Sequence, residues 1–398
     1  MNAQITIPFA LRADQLIGSV IDSSTALLAS QQHDIVRFAM GAPGEDLIPL
    51  AELDAAYGTA TAGRYDYGES EGEPRLREQI LKLSAESGQA TADERILVTS
   101  GGMQGLDIAF KLFVDPGDVV VIEAPTYTNG YATALSYGAD VLPVPVDEEG
   151  MIVEQLPDLV AAKGRAPKAI YTVPNFQNPS GVTMSRARRE ELLRLAETWG
   201  AVIIDDDPYG ALRFSGAPEP GFLELAPQHP LVFGVRTFSK IIAPGLRTGW
   251  IDVDPNIRDL AIAAKQAMDT CTQVPAQHTV AQFLEEGHLG THIARLLPMY
   301  AERKDAMRRE LHAHFGGSMR ATDPDGGFFL WVTFEGELAG IDTEELFPRA
   351  LANGVAYIPG PAFTTDGSMR SSLRLCFATS TPERIEEGVQ RLAQTVRG

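Results

Sequence analysis

The chain has 398 residues, 44% of them hydrophobic and 22% charged, enough apolar content to fill the cores of two or three domains; a disordered or fibrous chain is excluded. Acidic residues outnumber basic ones by 53 to 33, a formal charge of -20 with no long basic stripe, so a nucleic-acid backbone would be repelled. The two cysteines, Cys271 and Cys376, make neither a disulfide framework nor a zinc site.

The amino terminus, MNAQITIPFA, has no Lys or Arg before Arg12 and no small-residue cleavage site, so it does not read as a signal peptide. Apolar runs such as 119–122 and 201–204 fall far short of the roughly 18 residues of a membrane helix, and the chain is expected to be soluble and cytoplasmic. From about residue 75, amphipathic helices alternate with short β-rich apolar strands. Helices are predicted over 75–86, 104–113, 131–137 and 186–199, and strands over 95–99, 119–123, 168–173, 201–205 and 231–236. That rhythm predicts an α/β fold, a large domain whose mostly parallel sheet is flanked by helices. After an extended stretch at 249–253 come helices over 257–270 and 275–286, then a very polar helix over 299–314. The tail alternates differently, with strands at 327–334, 356–359 and 371–378 and helices at 343–353 and 382–396, which predicts a smaller α+β domain. The expected division is a large domain over 50–290 and a small one over 291–398, with the segment 1–49 packing against the latter.

Ligands of α/β sheets sit beyond the carboxyl ends of the strands, so the loops leaving each strand are where chemistry is expected. Strand 95–99 empties into Ser100, Gly101, Gly102, Met103, Gln104 and Gly105, just before a helix. Small residues let backbone N–H groups approach a ligand, and a helix amino terminus favours an anion, so a phosphate site is expected; a plain strand-to-helix turn would use the same glycines. Glu123 closes the next strand at about the spacing, roughly 20 residues, of an acid on a nucleotide ribose, although the loop reads G-G-x-x-G and lacks the G-x-G opening. Tyr127 follows that strand, where its ring would either lie on a planar ligand or pack in the core. Strand 168–173 leads into PNFQNPSG, a turn made rigid by two prolines and a glycine; its Asn178 suits an amide that must donate to one ligand atom, or is simple turn chemistry. Strand 201–204 ends in Asp205, Asp206, Asp207, Pro208 and Tyr209, and three adjacent carboxylates repel unless at least one has a cationic partner. Magnesium would need further acidic ligands that the neighbouring loops lack, so a ligand cation is the better match.

Lysine is scarce. Seven occur, at 82, 111, 163, 168, 240, 265 and 304, so 33 minus 7 leaves 26 arginines. Lys240 lies in an apolar and hydroxylic run, RTFSKIIAPGLR, with Thr237, Ser239 and Arg247 as phosphate ligands around it. Desolvation lowers the pKa of an ammonium and makes the amine nucleophilic, which is what bonding to a carbonyl needs. Late in the chain, 371–378 alternates, with Leu373, Leu375 and Phe377 on one face and Arg374 and Cys376 on the other. A guanidinium held on a strand is preorganised to grip a carboxylate; an exposed edge arginine is the alternative.

In this order the Gly-rich loop, PTY, NFQNPSG, DDDPY, TFSK with its following arginine, and LRLCF resemble the fold-type-I pyridoxal-phosphate aminotransferases. The nearest subgroup in flavour is the class I one that holds 2-aminoadipate aminotransferases and the catalytic half of MocR-type regulators. The resemblance runs from about FAMGAPGEDLIP to the end. It implies an aspartate-aminotransferase-like fold, pyridoxal 5'-phosphate as cofactor, and ping-pong transfer of an amino group from an L-amino acid to a 2-oxo acid. Lys240 would hold the cofactor as a Schiff base and then shuttle a proton at the α-carbon, and Asp206 would pair with the pyridine nitrogen. Asn178 and Tyr209 would donate to the phenolic oxygen, and Tyr127 would stack on the ring. Ser100, Gly101, Gly102, Met103, Thr237, Ser239 and Arg247 would form the phosphate end of the site. Tyr67, in YDYGESEG, matches a tyrosine that reaches into the partner subunit's phosphate site, which implies a homodimer with shared active sites. Arg374 would clamp the substrate α-carboxylate, with Gly41 and Asn178 beside it.

Two departures stand out. The family's Gly-Gly ahead of the first cofactor loop is Met40-Gly41 here. Members that take acidic side chains bring a second basic residue, often from the amino-terminal helix, whereas this chain has no Lys or Arg between Arg12 and Arg37; neutral or apolar side chains are therefore expected. The same scaffold also supports β-lyases, racemases, decarboxylases and a non-catalytic MocR-like effector module.

Overall fold

The computed structural model describes residues 9–18, 33–60 and 65–398. Its strands, in chain order, are β1 (Val36–Arg37), β2 (Ile96–Thr99), β3 (Val119–Ala124), β4 (Asp140–Asp147), β5 (Gly150–Met151), β6 (Ala169–Thr172), β7 (Val202–Asp206), β8 (Val232–Thr237), β9 (Gly249–Asp252), β10 (Met319–Ala321), β11 (Phe329–Phe334), β12 (Val355–Ala356), β13 (Ile358–Pro359) and β14 (Ser372–Cys376). Eight of them form one sheet in the order β2-β9-β8-β7-β6-β3-β4-β5. The central pairs β8–β7, β7–β6, β6–β3 and β3–β4 are parallel, β9 runs against both its neighbours, and β5 runs against β4. Strands buried on both faces must be apolar throughout, and β3 shows why: Val120 and Ile122 enter one core while Val119 and Val121 enter the core on the other face. The carboxyl ends of β2, β3, β6, β7 and β8 therefore open on one rim.

Several elements differ from the sequence expectation. The strand β4 was not expected, because its sequence, DVLPVPVD, carries two prolines. Its outer neighbour β5 pairs only with Val146 and Asp147, so Pro143 and Pro145 lie where β4 is itself the sheet edge and missing N–H groups cost little, while Leu142 and Val144 face the core. The polar helix expected over 299–314 is the last part of a longer one, His288–Phe315, that continues through Pro298. The helix after β2 begins at Gly102 instead of residue 104, with Gly101 at its amino-terminal cap, so the glycine loop is itself the helix start. Helices Leu50–Ala60 and Leu156–Lys163 were also not anticipated; both have short or mixed apolar patterns.

Four strands form a separate antiparallel sheet in the order β10-β11-β14-β13. Helices His288–Phe315 and Pro382–Arg397 pack together beside it. The single strand expected over 356–359 is two: β12 pairs in parallel with β1, and β13 pairs with β14. Residues 11–15 lie against the helix Thr128–Ser136 of the large domain. Arg374 is not at an edge. It sits on β14 between β11 and β13 and is fully buried.

Candidate active site

The rim of the large sheet and the Arg374 face of β14 enclose a cavity of about 240 Å³. Gly41, Gly102, Met103, Tyr127, Asn178, Asp206, Tyr209, Thr237, Ser239, Lys240, Arg247 and Arg374 all line it, joined by Met40, Ala42, Leu106, Asn129, Val173, Pro208 and Pro244. Of the residues singled out in the sequence, Ser100 and Gly101 lie directly behind this lining. Tyr67 is not part of it in a single chain and is 83% exposed.

One end of the cavity is built for an anion. Thr237 Oγ1 donates to Ser239 Oγ at 2.9 Å, Ser239 N donates to Thr237 Oγ1 at 3.1 Å, and Arg247 Nη1 reaches Ser239 Oγ at 3.3 Å. The helix Gly102–Phe113 starts beside them, and its cap, Gly101, has no side chain to satisfy the first N–H groups. Gly101 adopts φ 79°, and a Cβ there would collide with the Arg247 guanidinium. A Cβ on Gly105 would lie 2.9 Å from Ile251, so that glycine lets the helix sit close to the sheet.

The three aspartates at the end of β7 do not share a ligand. Asp205 accepts from Arg236 Nη2 at 2.6 Å, and Asp207 accepts from Asn175 Nδ2 and Gly210 N, both at 2.8 Å. Asp206 alone faces the cavity, with Tyr171 Oη donating to its Oδ2 at 2.9 Å. Burial pushes the Asp206 carboxyl up to about 7; Tyr171 opposes that shift, while Asp207 and Asp205 add to it. A carboxyl held that high needs a cation beside it to be charged at neutral pH, and a protonated pyridine nitrogen is such a cation. Among the described residues no cluster of His, Cys, Asp or Glu could hold a metal ion.

Between these ends lies Lys240. Its Nζ donates to Gly41 O at 2.6 Å, and desolvation pulls the ammonium down to about 8. Arg374 stands opposite. Its Nη1 donates to Asn178 Oδ1 at 2.9 Å and its Nη2 to Ala39 O at 2.6 Å, while its Nε is a buried donor with no hydrogen-bond partner. The guanidinium lies 4.3 Å from the Phe329 ring centroid, and burial lowers it to about 10, so it stays charged at neutral pH. Because Asn178 spends its carbonyl oxygen on Arg374, its amide N–H groups are left as donors.

The structure adds residues whose roles the sequence concealed. Gln177 donates from Nε2 to Glu123 Oε2 at 3.0 Å and to Pro125 O at 2.7 Å, and its Oε1 accepts from Ser180 N and Oγ. It thereby fixes the Asn178 turn against β3. Glu123 also accepts from Thr172 Oγ1 and Val173 N, and burial raises it to about 7. Enclosed in this way, Glu123 cannot reach a ribose, and the nucleotide reading of its spacing falls. Glutamine in the rigid PNFQNPSG turn was the available signal. Tyr171 had none, since it reads as one more apolar strand residue.

The donors and charges along this cavity match a phosphorylated pyridine aldehyde from end to end, and the comparisons with known proteins agree. The family model "Aminotransferase class I and II" matches residues 34–392. The chain belongs to the class I and II aminotransferases. It is 36% identical over 376 residues to aromatic-amino-acid aminotransferase 1 of Thermococcus litoralis, covering 92% of this chain and 89% of that one. It is 32% identical over 378 residues to the 2-aminoadipate transaminase of Thermus thermophilus, covering 94% and 92%. The crystal structure of Pyrococcus horikoshii kynurenine aminotransferase, in complex with PMP, superposes with a TM-score of 0.90 at 35% identity, covering 98% of this chain and 96% of that one. The chain is thus a transaminase of aspartate-aminotransferase-like fold, and pyridoxal 5'-phosphate is the cofactor of this aminotransferase family.

Proposed function

We propose that this aminotransferase takes its amino group from L-amino acids with neutral or apolar side chains and passes it to a 2-oxo acid, as a cytoplasmic homodimer. The observation that carries the substrate class is the cavity's charge inventory. Among the described residues its cations are Lys240, Arg247 and Arg374, and each has a task other than gripping a side-chain carboxylate. Met40, Met103 and Tyr127 supply apolar wall.

When bound, the cofactor supplies an electron-withdrawing ring that spreads the charge left by removal of the α-proton. This chain's residues do the rest. Arg374 pairs with the α-carboxylate, its unpartnered Nε gaining an acceptor, and so fixes which bond of the α-carbon faces Lys240. Lys240, as a neutral amine, takes and returns the α-proton; its lowered pKa makes the neutral form far more available near neutral pH than in an ordinary lysine, though still the minor one below about 8. Asp206 holds the proton on the pyridine nitrogen, with Tyr171 keeping the carboxylate charged and aimed. Asn178 and Tyr209 would donate to the phenolic oxygen, Tyr127 would stack on the ring, and Thr237, Ser239, Arg247 and the N–H groups after Gly101 would hold the phosphate. Tyr67, exposed in one subunit, is the side chain offered to the partner's phosphate end.

A donor panel tests this. Steady-state rates with leucine, phenylalanine, glutamate and 2-aminoadipate, at fixed oxo acid, should give the neutral donors the larger kcat/KM by about tenfold or more, since a buried unpaired carboxylate is heavily penalised. Preference for the acidic donors would overturn the substrate class and leave the transaminase assignment intact.

A further inference from the structure

Lys265 is the other lysine that the fold removes from water, and its side chain is completely buried. It stands in the last turn of the helix Pro255–Gln266. Its Nζ donates to Asp269 Oδ1 and Oδ2 at 2.8 and 3.0 Å, to Gln104 Oε1 at 2.8 Å and to Thr272 Oγ1 at 2.9 Å. Two of those partners grip the same residue of the glycine loop. Asp269 Oδ2 accepts from Ser100 Oγ at 2.6 Å, and Gln104 Oε1 accepts from Ser100 N at 2.8 Å. From the cavity side, Arg247 Nη2 donates to Ser100 O at 3.3 Å. All three polar groups of Ser100 are therefore fixed, two of them by groups that Lys265 orients.

A buried ion pair is a poor way to gain stability, because an apolar pair of similar volume usually does as well or better. What this pair provides is direction. Lys265 does not line the cavity, and its charge is balanced by Asp269, so it offers a bound phosphate little direct attraction. Binding an anion on backbone N–H groups, however, requires that those groups already point at it, since any reordering on binding subtracts from the affinity.

We propose that Lys265 is a positioning residue which, through Asp269 and Gln104, holds Ser100–Gly102 in the shape that receives the cofactor's phosphate. The inference rests on the assignment of that loop to the phosphate. Its signature is selective: affinity for the phosphate falls while affinity for the rest of the cofactor does not.

Equilibrium dialysis of the apo-protein, residues 1–398, against pyridoxal 5'-phosphate and against pyridoxal, which lacks the phosphate, reads this directly. For Lys265→Met we expect affinity for the phosphorylated ligand to fall about tenfold or more, with pyridoxal affinity changed by less than about twofold. Because Lys265→Met leaves Asp269 buried without its cation, the double variant Lys265→Met/Asp269→Leu, which removes both charges, is measured beside it; it should recover the wild-type melting temperature and still lose the phosphate preference. Wild-type preference retained in either folded variant, or parallel loss of both ligands, overturns the proposal. A wild-type protein with no preference for the phosphorylated ligand would instead overturn the loop assignment, and the inference with it.

Discussion

Lys240 and Lys265 are both held in low-dielectric surroundings, and their neighbourhoods are built on opposite rules. Lys265 has a carboxylate at 2.8 Å and two further oxygen acceptors, so burial lowers its pKa while Asp269 works to restore it. Lys240 opens on the cavity and donates to one backbone carbonyl; desolvation lowers its pKa, the Arg374 and Arg247 charges add to that, and Cys376 and Asp206 oppose it without touching the amine by a hydrogen bond or ion pair. The contrast separates a lysine that holds structure from one that must react. A structural ammonium is stabilised by an anion beside it, and that same anion would quench a nucleophile by keeping it protonated. A count of lysines brings both to notice, but only the partners tell them apart.

The strongest way to break this comparison is to remove each amine in turn. In Lys240→Ala, kcat for transamination should fall by about 10³–10⁴-fold or more, whereas Lys265→Met at saturating cofactor should retain kcat within about tenfold. Comparable losses in both, measured by steady-state kinetics, would erase the distinction. Removing the opposite cation should act on binding: in Arg374→Leu, kcat/KM for the amino donor should fall by about 10²-fold, mainly through KM, while dialysis shows cofactor affinity within about threefold of wild type. A loss confined to kcat would place Arg374 elsewhere in the chemistry. The smallest effect is in pH. Below a pKa of about 8 Lys240 is mostly protonated and unreactive, so the rate of cofactor uptake by apo-protein should rise about tenfold per pH unit and level off above about 8. Stopped-flow absorbance showing a rise that continues towards the roughly 10.4 of an ordinary lysine would mean that the site does not depress Lys240.

Much of the large domain and of the cavity rim was legible in the sequence because both are written locally. Buried parallel strands are continuous apolar runs, and the residues that line the cavity sit in the loops just past them, so the Asp205–Asp207 cluster, the Asn178 turn and Lys240 came to notice at strand ends, while singling out Asp206 from its neighbours and Asn178 from plain turn chemistry took the family resemblance. The strand β4 was not, since prolines that argue against a strand in general are harmless near a sheet edge. The supports of the site were also hidden, because their partners lie far away in the chain. Gln177 and Glu123 meet across 54 residues, and Lys265 and Gln104 across 161. No spacing rule connects such pairs; only the folded sheet brings them together. Arg374 lay between these cases. The alternation of 371–378 gave its face, but whether that face was an edge or an interior depended on β11 and β13 pairing on either side of it.

On the proposed function, one lysine of seven is committed to covalent chemistry and another is sealed behind the loop that would receive the phosphate. Borohydride reduction of the cofactor-loaded enzyme, followed by proteolysis and mass spectrometry, reads which lysine carries the cofactor. A phosphopyridoxyl group is expected on the peptide containing Lys240, with Lys265 unmodified. Label on Lys265, on any other lysine, or on none would contradict it.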